Sequence, residues 1–174
     1  MENVRLIDTI LQMSFEELGE RNDEFKREYN LLSEIEDDSL GQWLRRAKAT
    51  GEAKDSDQVL LTLMVELHRK IDELSAYIKQ EKKDLLVLKN SVMINKIGFN
   101  HVGVEKDIFQ KDKSYYARVN MAFFPKREVP MFIKAISKNF AQITIIHDKD
   151  RRDWNAYLMA KEREEIRRKK RSAL

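Results

Sequence analysis

The sequence predicts an α+β protein in which a helical region is followed by a small antiparallel β-barrel or sheet and a closing helix. Three observations support this prediction. Apolar residues repeat at helical spacing up to residue 90, the repeat changes to a strand pattern from residue 91, and an amphipathic segment ends the chain. At 174 residues the chain is long enough for a helical module together with a small barrel.

The charged residues divide at the same place. Residues 1–90 contain 14 basic and 20 acidic side chains, net −6, whereas residues 91–174 contain 19 basic and 10 acidic ones, net +9. This asymmetry indicates two modules. We predict a helical self-association region over residues 1–90 and a barrel with a closing basic helix over residues 91–174. The acidic part of one copy could meet the basic part of another, through contacts that salt would weaken.

The first predicted element is a long amphipathic helix. Its apolar residues follow three- and four-residue spacing and therefore share one helical stripe: Val4, Ile7, Leu11, Phe15, Leu18, Phe25, Tyr29 and Leu32. The turn-forming segment "EIEDDSLG" ends the stripe, and "LGQWLRRAKA" predicts a short helical segment. In the polar break that follows, Ser56 or Asp57 is expected to cap the next helix.

That next helix has the clearest pattern in the chain. Six apolar residues step alternately by four and three, which defines a heptad seam: Leu60, Met64, Leu67, Ile71, Leu74 and Ile78. The helix either packs on the N-terminal stripe of its own chain or joins copies of the chain in a coiled coil. The two arrangements can occur in the same assembly, because two antiparallel helices per subunit can build a larger bundle. We therefore predict self-association as a dimer or tetramer.

From residue 91 the pattern becomes that of short strands. Val, Ile, Phe, Tyr and Met are frequent, and segments such as "SYYARVNMAFF" and "AQITIIHD" alternate. Turns are expected at Lys111–Lys113, Pro125–Glu128 and Lys138–Asn139, which leaves room for about five or six strands in an antiparallel barrel or sheet. The last segment, "DRRDWNAYLMAKEREEIRRKKR", predicts an amphipathic helix with a basic end.

The order of these parts resembles the PilZ domain, and more closely its atypical, tetramer-forming branch with a helical bundle before or within the barrel. The resemblance covers residues 55–171 and consists of the heptad helix, the strand-rich region with a glycine motif near its start, and the basic closing helix. It implies a six-stranded barrel and a bacterial protein of surface motility, pili or flagella, or of cyclic di-GMP signalling.

The stretch "IGFNHVGVEK" contains the nucleotide motif of this family in altered form. Typical PilZ domains carry Asp/Asn-x-Ser-x-x-Gly in the first strand region, and the best register here runs from Gly98 to Gly103. Gly103 matches, Asn100 replaces the serine as a hydrogen-bonding substitute, and Gly98 stands at the acidic or amide position. Glycines in a β-rich stretch also indicate a strand bend or a close backbone approach, which is the interpretation we favour.

The arginine pair of the family is missing ahead of the predicted barrel. Typical PilZ domains place Arg-x-x-x-Arg just before the first strand, but the chain has no arginine between Asp72 and Arg118. Lysine lacks the planar fork of arginine, so cyclic di-GMP is not expected to bind in the usual way. An alternative is a cyclic di-GMP receptor with a non-standard site, for which the candidate residues are Lys82, Lys83, Asn100, Gly103, Arg118, Arg151 and Arg152.

No enzymatic chemistry and no metal site are expected. The chain lacks a phosphate loop, a nucleophile elbow and an HExxH motif. His68 and Asp72 are the one pair of residues at ligand-like spacing, and a metal site needs three or four ligands. The absence of cysteine, of a signal-peptide pattern in "MENVRLID" and of a transmembrane segment favours a cytoplasmic protein.

The sequence therefore favours a non-enzymatic adaptor that self-associates through the seam and presents its barrel to another protein of a motility or signalling system. A further alternative is a nucleic-acid-associated protein that uses the basic C-terminal half. The tail "KEREEIRRKKR" contains seven positive and three negative residues. We expect a solvated helix face there; phosphates, an acidic membrane surface or the acidic half of another copy are its candidate partners. Because the tail lacks interleaved aromatic residues, nucleic acid is the weaker candidate.

Overall fold

The computed structural model describes residues 5–35, 39–52, 54–78, 85–121 and 127–172. In chain order the elements are β1 (Ile7–Glu17), α1 (Asn22–Ile35), α2 (Ser39–Thr50), α3 (Gln58–Ile78), β2 (Asn90–Ile97), β3 (His101–Val104), β4 (Ser114–Met121), β5 (Arg127–Ala135), β6 (Phe140–Ile146) and α4 (Asp148–Ser172). The chain divides into two compact units, one of residues 1–29 and 87–174 and the other of residues 30–86.

The six strands form a closed barrel in the order β1-β2-β3-β6-β5-β4, and every neighbouring pair is antiparallel. Apolar side chains from all six strands fill its interior, among them Leu11, Ile94, Val102, Val119, Ile133 and Ile143. From α4, Trp154, Tyr157 and Leu158 join the same core. The prediction of an α+β protein with a six-stranded antiparallel barrel and a C-terminal helix is confirmed, whereas the coiled coil stays a prediction.

The predicted N-terminal helix is wrong over residues 7–17, where the chain forms β1. From Ile7 to Phe15, buried side chains alternate with more exposed ones; the buried residues are Ile7, Thr9, Leu11, Met13 and Phe15. A spacing of four residues is also twice the strand period, so part of the predicted helical stripe fits either structure. Thr9 and Met13 complete the alternation and distinguish the strand from the helix. The barrel therefore takes its first strand from the region predicted to be helical, and the helical interpretation holds only from Asn22 onwards.

The other local predictions have mixed outcomes. The Oδ1 atom of Asp57 accepts hydrogen bonds from the backbone N–H groups of Val59 and Leu60 at 2.9 and 3.1 Å, so the predicted cap of α3 is confirmed. Connections between strands occur at the predicted 111–113 and 138–139 segments. The predicted turn at residues 125–128 lies partly outside the described residues, and Glu128 belongs to β5.

Glu16 joins the segment that follows β1 to the segment that precedes β2. One carboxylate oxygen lies 3.0 Å from Nη1 of Arg21, which follows β1, and the other lies 2.9 Å from Nζ of Lys89, which precedes β2. The backbone N–H of Lys89 also donates to this carboxylate. Burial by itself raises the pKa of Glu16, but the hydrogen bonds and charges of Lys89 and Arg21 outweigh it and lower the pKa. The carboxylate is therefore ionised near neutral pH.

The first half of α1 covers the outer face of β4. The ring of Phe25 stacks on Tyr116 with the centroids 5.1 Å apart. Oε1 of Glu28 accepts hydrogen bonds from the Tyr116 hydroxyl and from Nη1 of Arg118, both at 2.8 Å. Because Glu28 and Arg118 are both buried, each charge has the partner that burial requires. This contact explains why β4 is buried on both of its faces.

In the second unit, α2 and α3 are in contact with each other. Leu44 and Ala47 are the buried apolar residues of α2. Among the helices that the structure describes, none combines the length and the apolar composition needed to cross a bilayer.

Candidate functional site

The heptad seam of α3 is exposed in the single chain. Leu60, Met64, Leu67, Ile71 and Leu74 have exposed fractions of 56%, 57%, 62%, 55% and 59%. Val59 and Leu63, which flank the seam, are also at least half exposed. The side chain of the sixth predicted member, Ile78, lies outside the described part of the molecule. The structure thus presents an apolar stripe of at least five residues on one helix.

The N-terminal stripe is occupied within the barrel unit. Three of its eight residues, Ile7, Leu11 and Phe15, lie in the barrel core, and Phe25 and Tyr29 are buried against rings of the same unit. Among the α3 side chains that the structure describes, the half-buried apolar ones are Leu61 and Val65, on a neighbouring face. The seam remains available to another copy or another protein.

Charged residues of α3 pair beside the seam. Nε of Arg69 donates to Oε2 of Glu66 at 3.0 Å, a pair at the i,i+3 spacing that supports a helix. Nε2 of His68 and Oδ2 of Asp72 lie 3.5 Å apart. Within the described ranges, no group of three or more His, Asp or Glu residues is arranged to hold a metal ion.

The glycine motif forms the hairpin that connects β2 and β3. The N–H of Gly98 donates to the carbonyl of His101 at 2.8 Å, and the indole Nε1 of Trp154 donates to the carbonyl of Gly98 at 2.9 Å. A Cβ atom on Gly98 would lie 3.0 Å from the carbonyl oxygen of Arg5 and 3.3 Å from Cδ2 of Leu6. The residue therefore allows three chain segments to meet, which is the close backbone approach that the sequence predicts.

Gly103 lies on the outer face of the barrel, between Lys96 of β2 and Phe140 of β6. A Cβ atom here would lie 3.3 Å from Cβ of Lys96 and 3.6 Å from Cδ2 of Phe140. Next to it, the rings of His101 and Phe140 stack in parallel with the centroids 5.1 Å apart. These residues, with Leu6, Ile136 and Gln142, line an open groove of about 910 Å³.

The candidate nucleotide residues are only partly brought together. Nη1 of Arg151 donates to Oδ1 of Asn100 at 2.5 Å, so these two residues and Gly103 belong to one region around the hairpin. Arg152 is exposed on α4. Arg118 is buried between Glu28 and Glu128, at 2.8 and 3.3 Å, and its proposed role as a ligand residue is corrected to a structural one. Lys82 and Lys83 lie outside the described residues.

The position of β1 brings Arg5 next to the barrel. Arg5 lies two residues before β1, and Met1 stands four positions before Arg5, which is the spacing of the arginines in the Arg-x-x-x-Arg motif of typical PilZ domains. Arg5 is exposed and forms an ion pair with Glu162 of α4. The sequence interpretation does not consider Arg5, because it begins the barrel at residue 91. The alternation through Thr9 and Met13 indicates a strand that starts just after Arg5.

No family model, curated protein or solved structure matches this chain.

We predict that Gly98→Ala destabilises the protein by about 1–3 kcal/mol, because the new methyl group forces the carbonyl of Arg5 or the hairpin to shift. Urea unfolding followed by circular dichroism measures the effect. Gly19→Ala is the matched control, since a Cβ atom at Gly19 meets nothing within 4 Å, and we expect a change within about 0.5 kcal/mol. Equal stabilities of the two variants would contradict the close-approach role of Gly98.

Proposed function

We propose that this protein is a non-enzymatic, PilZ-like regulatory or adaptor protein that self-associates through the seam of α3 and acts by protein–protein interaction. The observation that supports it most directly is the exposure of five seam residues in one heptad register. Monomeric proteins rarely leave a continuous apolar patch uncovered, and such a patch marks an interaction site.

The free energy gained by burying the seam is comparable to the free-energy cost of bringing two copies together. If each half-exposed seam residue contributes about 1 kcal/mol on burial, ten of them from two helices contribute on the order of 10 kcal/mol. The loss of translational and rotational freedom on association costs about 4–15 kcal/mol. The two amounts are comparable, so stable association requires the seam to be covered along its whole length. The flanking residues Val59 and Leu63 add to the buried area.

Two features support the PilZ-like part of the proposal. The barrel is closed, six-stranded and antiparallel. The helices α2 and α3 stand between β1 and β2 in the chain, which is the arrangement of a branch with helices within the barrel. The glycine motif follows β2 rather than the first strand, which departs from the family pattern. We accordingly propose a role in bacterial motility or second-messenger signalling in the cytoplasm, with the groove beside Gly103 as the barrel surface that meets a partner protein.

We predict that Leu67→Asp combined with Leu74→Asp dissociates the oligomer, because each substitution would bury an unpaired carboxylate in an apolar seam. Light scattering coupled to size exclusion measures the mass, which should fall to that of one chain, 20.7 kDa. Thr62→Asp is the control: it introduces one carboxylate on the opposite side of the same helix and should leave the mass unchanged. An unchanged mass of the double variant would contradict self-association through the seam.

A second candidate function is a cyclic di-GMP receptor with a non-standard site. The contact between Asn100 and Arg151 and the position of Arg5 just before β1 favour it. The half-matched arginine motif and the Arg5–Glu162 ion pair count against it. Titration calorimetry with cyclic di-GMP decides the question: heat that disappears in Arg151→Ala would support this receptor, and no heat at high micromolar ligand would eliminate it.

A further inference from the structure

From Arg152 onwards, one exposed stripe of α4 carries only basic and uncharged residues. Its positions follow steps of four and three residues along the helix and therefore lie on one side: Arg152, Ala156, Met159, Arg163, Arg167 and Lys170. All six are exposed, and we call them the basic face of α4. The opposite side of the helix packs Trp154 and Leu158 into the barrel core, so the basic face is turned away from the barrel.

The positive charges of the basic face are not neutralised within the described residues. The three glutamates in the second half of α4 are occupied elsewhere: Glu162 pairs with Arg5, Glu164 with Lys161 at 3.0 Å and Glu165 with Lys169 at 2.9 Å. No ion pair among the residues that the structure describes involves Arg152, Arg163, Arg167 or Lys170. Along this line of the helix, four cations thus have no ion-pair partner in the part of the chain that the structure describes.

Apolar side chains lie between these cations. Met159 on the basic face and Ile166 beside it are 44% and 45% exposed. The face extends from Arg152 to Lys170, which is about 27 Å of straight helix at 1.5 Å per residue. A flat anionic surface can contact all of it at once. Helices that bind in the headgroup region of a membrane need exposed apolar side chains that enter the acyl boundary and cations that reach the headgroups, and this part of α4 exposes both kinds of side chain.

We propose that the basic face of α4 binds the surface of a membrane that contains anionic lipids, with the arginines and lysine at the lipid phosphates and Met159 and Ile166 in the boundary with the acyl chains. Clusters of four or more basic residues on one helix suffice for binding to such surfaces. Nucleic acid fits less well, since it would leave both apolar side chains in water and the face offers no aromatic ring for stacking on bases. The proposal is independent of the self-association proposed above.

Sedimentation with vesicles tests this inference on the full chain. We expect binding to phosphatidylcholine vesicles that contain roughly one-third phosphatidylglycerol and no binding to phosphatidylcholine alone, because the attraction is to the anionic headgroups. The variant Arg163→Gln with Arg167→Gln should lower the partition coefficient about 30-fold, at about fivefold for each basic residue removed. Met159→Ser with Ile166→Ser should weaken the binding that remains at high salt.

The matched control is Arg168→Gln with Lys169→Gln, which has the same net charge and lies in the same turns of α4 but off the basic face. We expect a loss of less than about threefold, since long-range charge alone is largely screened at physiological salt. Equal losses in the two double variants, or no binding to anionic vesicles, would overturn the proposal. Binding to a DNA or RNA duplex in place of vesicles, weakened by the Arg163 and Arg167 substitutions, would overturn it in favour of nucleic acid.

Discussion

Closure of the barrel by β1 is the constraint on which the rest of the structure depends. This strand pairs with β2 on one side and β4 on the other, so that no strand is left with an unpaired edge. The chain between β1 and β2 therefore begins and ends at neighbouring points of the barrel, and Glu16 fixes both ends through Arg21 and Lys89. The entropy cost of closing a loop rises by only about 0.6 kcal/mol for each doubling of its length, so the barrel tolerates a long helical insertion.

The helical segment between β1 and β2 differs from the barrel in how far its apolar side chains are buried. The barrel buries its interior side chains almost completely, and its outer face at β4 is covered by Phe25 and Glu28 of α1. The helix α3 leaves its most regular apolar stripe exposed. Heptad regularity over so many residues is not needed for a surface helix of a monomer, but it is what the packing of one helix against a like helix requires. Among the described residues, the barrel thus buries its own apolar side chains, whereas α3 packs on α2 and leaves its seam exposed.

The sequence predicts the elements from α3 onwards well because their patterns are local. Asp57 precedes an apolar heptad, and the strands after residue 90 alternate between turn residues. The first strand is missed for two reasons. Ile7, Leu11 and Phe15 fit both periods, and Thr9 is polar although its hydroxyl is buried in a hydrogen bond of 2.8 Å with the hydroxyl of Tyr157. The hydrogen-bond partner of Thr9 lies 148 positions away, so the residues around Thr9 in the sequence do not indicate that its side chain is buried.

The contacts of the candidate site residues could likewise not be predicted from the sequence. The seam could be recognised from spacing alone, but whether it is covered within the chain depends on tertiary structure. The sequence offers Arg118 as a residue for ligand binding, but in the structure its buried side chain donates to Glu28, 90 positions away. The contact of Asn100 with Arg151 depends likewise on how α4 packs against the hairpin. Pairings between distant residues decide which charges are available to a ligand, and a single sequence does not contain them.

The most direct measurement of the central claim is disulfide cross-linking through the seam. The chain has no cysteine, so Leu67→Cys introduces a single thiol at the middle of the five exposed seam residues, where a centred pair of α3 helices brings the two copies together in either orientation. Under mild oxidation this variant should form a covalent dimer, while Thr62→Cys on the opposite side of α3 stays at 20.7 kDa. A Leu67→Cys variant that stays monomeric, or equal cross-linking at both positions, would contradict association through the seam.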